Sequence, residues 1–325
     1  MAGIASFLGR RLVKSVFILL AIVVINFLLV RAAPGDPAMV MAGEAGAADQ
    51  EYVEQLREQF GLDRPLHEQL GIYVADVATG DLGYSYRQQR SVWDLILERL
   101  PATLILTGLA FGLALGAGIL MGTFAAMNVG RWSDSAITVV ALLSYATPIY
   151  WVGLMLILLF SVNLGWLPAF GYESIGANLT GWDRVVDIAE HLVLPTVTLG
   201  LFYMAVYARL TRASILEVRD MDFVKTARAK GLGEARIVFK HVLRNAILPV
   251  ITFAGIQAGQ LIGGSILIET VFAWPGIGRL AFDAVLQRDY QVLLGIFFVT
   301  SVMVIIFNIL TDLLYSLIDP RIEVA

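Results

Sequence analysis

Side chains able to do covalent chemistry are scarce in this 325-residue chain, and their pattern does not suit catalysis. There is no cysteine, which removes thiolate nucleophiles, thiolate metal sites and disulfides. Three histidines, His67, His191 and His241, are read as loop residues, His191 at the very start of an apolar block and the other two outside the blocks. A nucleophile needs a buried base beside it and a catalytic metal needs convergent ligands, and these residues supply neither. No Gly-Lys dipeptide occurs, so no glycine-rich loop followed by Lys-Ser or Lys-Thr is present to cradle a nucleotide. None of the 27 acids sits at the centre of an apolar block, where a residue coupling ion movement would be needed. What remains is a short, charged, aromatic-bearing segment around residue 222, and the elements that carry it decide what it does.

Those elements are dominated by apolar blocks. Hydrophobic residues make up 58% of the chain and charged residues 15%, against about 25% charged in a soluble domain. A bilayer core takes about 20 apolar residues per helix. Blocks of that kind predict six spans, at 8–31, 99–127, 135–162, 190–211, 247–269 and 291–317. The chain is read as an all-α polytopic membrane protein. Pro101 opens the second span and Pro148 kinks the third, since proline removes an amide donor. Gly108, Gly112 and Gly116 recur every fourth residue, a spacing that predicts a face for close helix approach. Asn26, Glu269, Asn308 and Asp312 are the main polar residues inside spans. Glu269 and Asp312 are expected near span ends, within reach of headgroups or a neighbouring helix.

Charge placement orients the spans. Segment 209–245 carries nine cations and four acids, whereas 32–97 carries four cations and eleven acids. By the positive-inside rule both termini are cytoplasmic and the acidic region faces outward. The first 33 residues resemble a signal peptide in their Arg10-Arg11 start, but no clean cleavage site stands out, so a retained anchor is expected. The organisation predicted is 1–31 cytoplasmic start and first span, 32–98 external region, 99–317 membrane core with a cytoplasmic loop at 212–246, and 318–325 cytoplasmic tail.

Outside the spans, Tyr52, Val53, Leu56 and Phe60 predict an amphipathic helix over 49–60, stopped by Gly61. Gly80-Asp81-Leu82-Gly83 reads as a turn, and 91–99 as an interfacial helix with Trp93 at headgroup depth. Trp274-Pro275-Gly276-Ile277-Gly278 sets a tight backbone path suited to a re-entrant or plugging loop.

The basic loop carries the candidate mechanism. Residues 222–230 predict a helix of two to three turns, with Asp222 able to cap its start and Gly231 able to end it in left-handed geometry. Phe223, Ala227 and Lys230 are expected on one face. So short a helix is unstable alone in water and must rest on something. Its cations alone would fit topology control or binding of anionic headgroups. Nothing in the chain offers a nucleic-acid platform. An aromatic plug, small residues and a glycine stop together point to a docking helix for a soluble partner.

Lys225-Thr226-Ala227, three residues, then Gly231 resembles the glutamate-alanine-alanine–glycine loop of membrane subunits of binding-protein-dependent ABC importers. Lysine and threonine replace the first two residues, and the Ile247-Leu248-Pro249 ending comes five residues later than in sugar importers. Both departures resemble the dipeptide, oligopeptide and nickel permease branch. So do Arg31 with Pro34-Gly35-Asp36-Pro37, Phe60-Gly61-Leu62-Asp63, Leu100-Pro101-Ala102-Thr103, His241 with Leu243-Arg244-Asn245, Arg288-Asp289-Tyr290, and Leu317 to Arg321.

This resemblance implies a type I importer permease fold in a bacterial inner membrane. It implies a second homologous permease, two ABC ATPases beneath the pair, and a periplasmic or extracellular solute-binding protein. It implies no cofactor in this chain, with ATP and Mg on the ATPases, and no nucleic acid. The cargo implied is di- or oligopeptide, with nickel chelates or glutathione as alternatives in the same branch. Asp222, Phe223, Lys225, Thr226, Ala227, Arg228 and Gly231 would form the coupling helix, with Phe223 the anchor and Asp222, Lys225 and Arg228 rim charges. Pro148, Trp274, Gly276, Gly278, Glu269 and Asp312 are the gate or pathway candidates. An autonomous secondary transporter or channel is the rival class, and it would have no use for the 222–231 helix.

Overall fold

A computed structural model describes residues 2–32, 38–39, 50–59 and 61–318. Pro34 to Pro37, Phe60 and Asp319 to Arg321 lie outside the described residues, as does the side chain of Asp312. The described chain is almost entirely helical and divides into two compact units. One draws on Met1–Leu100 and Leu280–Ile309, the other on Pro101–Arg279 and Leu310–Pro320.

In the first unit, α1 (Ala2–Ala32) meets α3 (Leu66–Thr79), where Phe27 stacks on Tyr73 with ring centroids 5.6 Å apart. Between them in sequence, α2 (Gln50–Gln59) ends as predicted at Gly61, whose φ of +62° lets the Leu62 amide return to the Arg57 carbonyl at 2.8 Å. Helix α3 was not foreseen. After it, Asp81 Oδ1 accepts the Gly83 amide at 2.8 Å, making the expected turn. That turn leads into a two-residue antiparallel ladder of β1 (Tyr84–Ser85) and β2 (Arg90–Ser91). The separate interfacial helix expected at 91–99 is not formed. Val92 instead starts α4 (Val92–Met127), 36 continuous residues with Pro101 in its interior rather than at its start. Trp93 donates its indole N–H to the Gly80 carbonyl at 2.6 Å.

The second unit is built around α4 from Pro101 onward and α7 (Gly181–Arg219), a 39-residue helix that extends well past both ends of the predicted 190–211 span. Ala102, Leu106, Ala110 and Ala114 recur every fourth residue on α4 and are buried with Leu192, Leu199, Tyr203 and Tyr207 of α7. Gly118 and Gly122 continue that stripe. A Cβ on Gly118 would lie 2.6 Å from Tyr207 Cβ, and one on Gly122 would strike the Ala208 carbonyl. The predicted stripe of Gly108, Gly112 and Gly116 is on another face and meets nothing within 4 Å. Both series have fourfold spacing, but they are offset by two residues, which turns them about 200° apart on a helix.

The third predicted span is broken rather than kinked. Helix α5 (Trp132–Ala146) and α6 (Ile149–Leu156, with a π-helical continuation to Asn163) meet at 106°. Pro148 is the cause, because its ring keeps the preceding residue out of helical geometry, and Thr147 is extended at φ −84°, ψ 135°. Beyond α7 come α8 (Asp222–Ala229), α9 (Glu234–Ile237), a π-helical turn over Val238–Val242, α10 (Leu243–Gly264), α11 (Ile266–Val271), α12 (Ile277–Gln287) and α13 (Tyr290–Ile318). Among the described residues five helices are long and apolar enough to cross a bilayer, and the broken α5–α6 pair makes a sixth. The histidines expected in loops are all helical: His67 in α3, His191 in α7 and His241 in the π-helical turn.

Candidate functional site

The helix predicted over 222–230 is present as α8, and its two faces have different surroundings. Val224 is fully buried and Ala227 nearly so, packed with Ala126 of α4, Ile215 and Val218 of α7, Ile237 of α9, and Val242 and Ala246. This seat supplies the support that eight residues cannot provide alone. The opposite face, with Asp222, Phe223, Lys225, Thr226 and Ala229, is exposed. Phe223 keeps 40% of its surface open.

This arrangement corrects two expectations and adds a pairing to a third residue. Phe223, Ala227 and Lys230 do not share one environment, because Ala227 turns inward with Val224 while Phe223 and Lys230 are exposed. On a 100° helical step Ala227 falls between Phe223 and Val224, and the packing of Val224 decides its side. Asp222 is not the cap. Met221 holds that position in extended geometry, and Asp222 instead accepts a 2.9 Å bond from Lys225 Nζ. As the first helical residue its carboxylate still complements the helix dipole. Arg228, expected as a rim charge, is paired: its Nε and Nη2 donate to the two oxygens of Glu234 at 2.6 and 3.2 Å. That carboxylate raises the Arg228 pKa above its ordinary value.

Between Arg228 and Glu234 the chain reverses at Gly231. Its φ is +77°, its amide bonds the Arg228 carbonyl at 2.8 Å, and the Leu232 amide reaches Ala227 at 3.4 Å. A Cβ there would meet nothing within 4 Å, so glycine is required by backbone conformation rather than by space.

A second constellation centres on Glu269 in α11. Of the two surroundings expected for it, it has the neighbouring helix: its exposure is zero and it reaches Thr103 of α4. Oε1 accepts the hydroxyls of Thr103 at 2.8 Å and Ser265 at 2.9 Å, and Oε2 accepts the Arg279 amide at 2.9 Å. Thr103 Oγ1 in turn accepts the Ile277 amide at 2.8 Å. The buried carboxylate therefore satisfies donors at the start of α12, where negative charge is favoured. Trp274, fully buried, donates its indole N–H to the Ala102 carbonyl at 2.9 Å and packs on Tyr172. Gly276 and Gly278 are glycine for a steric reason rather than for backbone freedom, because side chains there would overlap Glu269. Four of the gate candidates are thus locked into one buried turn. Pro148 stands at the α5–α6 break.

Other polar clusters were not anticipated. Asp134 at the start of α5 accepts Arg212 Nε at 2.7 Å and Nη2 at 2.8 Å from α7. Asp187 Oδ2 accepts the Ser174 amide at 2.7 Å and Oδ1 accepts its hydroxyl at 2.6 Å, while His191 Nδ1 lies 2.8 Å from the Asp187 carbonyl oxygen. The four-residue spacing of Asp187 and His191 is the one sequence signal that marks the second cluster.

Comparison with known proteins agrees with this architecture. Residues 118–324 match the family described as binding-protein-dependent transport system inner membrane component, and 4–107 match the N-terminal region of such membrane components. The chain belongs to this family, and it is a multi-pass membrane protein with the fold of type I ABC importer permeases. It is 41% identical over 332 residues to the di/tripeptide transport system permease protein DppB of Pseudomonas aeruginosa (strain UCBPP-PA14), covering 98% of each chain. It is 40% identical over 321 residues to the oligopeptide transport system permease protein AppB of Bacillus subtilis (strain 168), covering 98% of this chain and 99% of that one. Among solved structures, an inward-facing MetNI methionine ABC transporter matches with a TM-score of 0.55 at 17% identity, over 69% of this chain and 96% of that one.

Proposed function

We propose that this chain is the membrane subunit of an ATP-driven importer of di- or oligopeptides, forming half of the pathway and doing no covalent chemistry itself. Its relatives' names as peptide permeases, at about 40% identity along nearly the whole chain, support the cargo. The charge asymmetry supports a bacterial inner-membrane topology with both termini and the 212–246 loop cytoplasmic and 32–98 external. A second homologous permease completes the pathway, a solute-binding protein delivers cargo from outside, and two ATPases carry the ATP and Mg.

The observation that carries the reading is the two-faced seating of α8. Its inner face is fastened to the transmembrane helices through Val224 and Ala227, while Phe223, Lys225 and Thr226 are left for a partner. A helix so seated transmits movement, because displacing Phe223 displaces the ends of α4, α7 and α10 packed beneath it. The energy of transport enters through contacts that differ between two states of the ATPase pair. Gly231 and the Arg228–Glu234 pair set the angle at which the chain leaves the docked helix. Pro148 and Asp312 are kept as pathway candidates, whereas Glu269, Trp274, Gly276 and Gly278 hold the shape of a turn.

The test is co-expression of this chain with its permease and ATPase partners, then purification on a tag carried by this chain. Purified complexes in vesicles should accumulate radiolabelled dialanine only with the binding protein outside and ATP inside. Accumulation without any ATPase would support an autonomous transporter and overturn the reading.

A further inference from the structure

Arg209 of α7 is an exposed cation in the last turn of the predicted 190–211 span, with no carboxylate partner among the described residues, and its guanidinium is not turned toward the basic end of its helix. Its Cζ lies 5.9 Å from the centroid of the Tyr145 ring on α5. The same ring stacks on Phe202 with centroids 5.3 Å apart. Phe202 is seven residues before Arg209, about 10 Å back along the helix, away from Arg212 and Arg219. An arginine serving a headgroup extends toward the interface. Arg209 reaches the other way, held by an aromatic face.

Beside it α4, α5 and α7 line a crevice of about 260 Å³. Ala125, Ala141, Ala205 and Ala208 hollow it out, with Leu142 at its side, and Arg209 and Arg212 are its only charged lining groups. Arg212 is already neutralised by Asp134. The crevice therefore offers small apolar walls and one uncompensated positive charge. An ionisable group within a span is a functional candidate by default.

We infer that Arg209, positioned by Tyr145, is the subsite that receives the terminal carboxylate of a peptide as it passes this subunit, the alanine-lined crevice taking the adjoining apolar side chain. The inference rests on the peptide-importer reading above and extends it to a named residue.

The test uses the complete importer with its binding protein, in phosphatidylcholine vesicles and in vesicles that also contain phosphatidylglycerol. Radiolabelled dialanine and its C-terminal amide are offered at saturating concentration to wild type, Arg209→Gln and Arg209→Lys. Wild type should import the free acid faster than the amide. Arg209→Gln should lose about tenfold of the free-acid rate, the size of one charge-assisted hydrogen bond, and should no longer distinguish acid from amide. Arg209→Lys should keep most of the discrimination, in both lipids alike. An unchanged acid-to-amide ratio in Arg209→Gln overturns the subsite, and so does a loss confined to phosphatidylglycerol vesicles, which would assign Arg209 to a lipid headgroup. Failure of both variants to assemble would make the residue structural and end the proposal. If wild type imports neither peptide, the peptide reading falls and takes the subsite with it. If wild type imports them and Arg209→Gln behaves identically, only the subsite falls.

Discussion

The carboxylate of Glu269 occupies the space in which a side chain on Gly276 would begin. One buried carboxyl group thus explains a glycine seven residues away, and it binds the Thr103 and Ser265 hydroxyls and the Arg279 amide together. Glu269→Ala would leave those three donors without their acceptor, a loss of about 3 kcal/mol or more. The purified complex should melt at a clearly lower temperature in detergent, and Glu269→Gln, which keeps an acceptor oxygen, should lie between. A melting point for Glu269→Ala equal to wild type would show that the turn does not depend on this residue.

The two glycine stripes of α4 should respond oppositely to bulk. Gly122→Leu drives a side chain into the Ala208 carbonyl and Thr211, and overpacking of that kind costs about 1–3 kcal/mol or more. Gly112→Leu enters open space and should leave thermal stability unchanged within the isolated chain. Equal effects of the two would contradict the α4–α7 packing.

Adjacent residues of α8 should fail in different ways. Phe223→Ala removes an exposed ring, so the permease should insert and melt normally but lose its ATPases on purification. Val224→Asp places a carboxylate in the fully buried seat, at about 3 kcal/mol or more, so the permease itself should be destabilised. ATPase retention by Phe223→Ala would remove it as the anchor.

Gly231→Val forces a β-branched residue into left-handed backbone, at about 1–2 kcal/mol or more, while Gly231→Asn adopts that geometry more readily. ATP hydrolysis by the Val variant should proceed with reduced peptide uptake, and the Asn variant should stay coupled. Coupled transport at wild-type rates in Gly231→Val would show that the exit angle does not matter.

Because the chain contains no cysteine, topology is testable without prior mutagenesis. Lys225→Cys, on the exposed face of α8, should react with an impermeant maleimide only after the cytoplasmic side is opened. Asn178→Cys, exposed in the loop before α7, should react in intact spheroplasts. Labelling from the same side would contradict the charge-based orientation.

The spans, the short basic helix and its glycine stop were legible in the residues alone, because each follows from local rules. Apolar run length sets a span, and a charged aromatic segment followed by glycine sets a short capped helix. Only tertiary contact decided which face of each element is buried. Gly112 and Gly122 look alike in sequence, but one meets space and the other the backbone of α7. Ala227 joined Val224 because six apolar residues from five helical segments converge there. Glu269 is buried only because residues as distant as Thr103 bring hydroxyls and amides to it. Helical periodicity specifies angles about an axis, but the direction of the core comes from contacts between residues far apart in the chain.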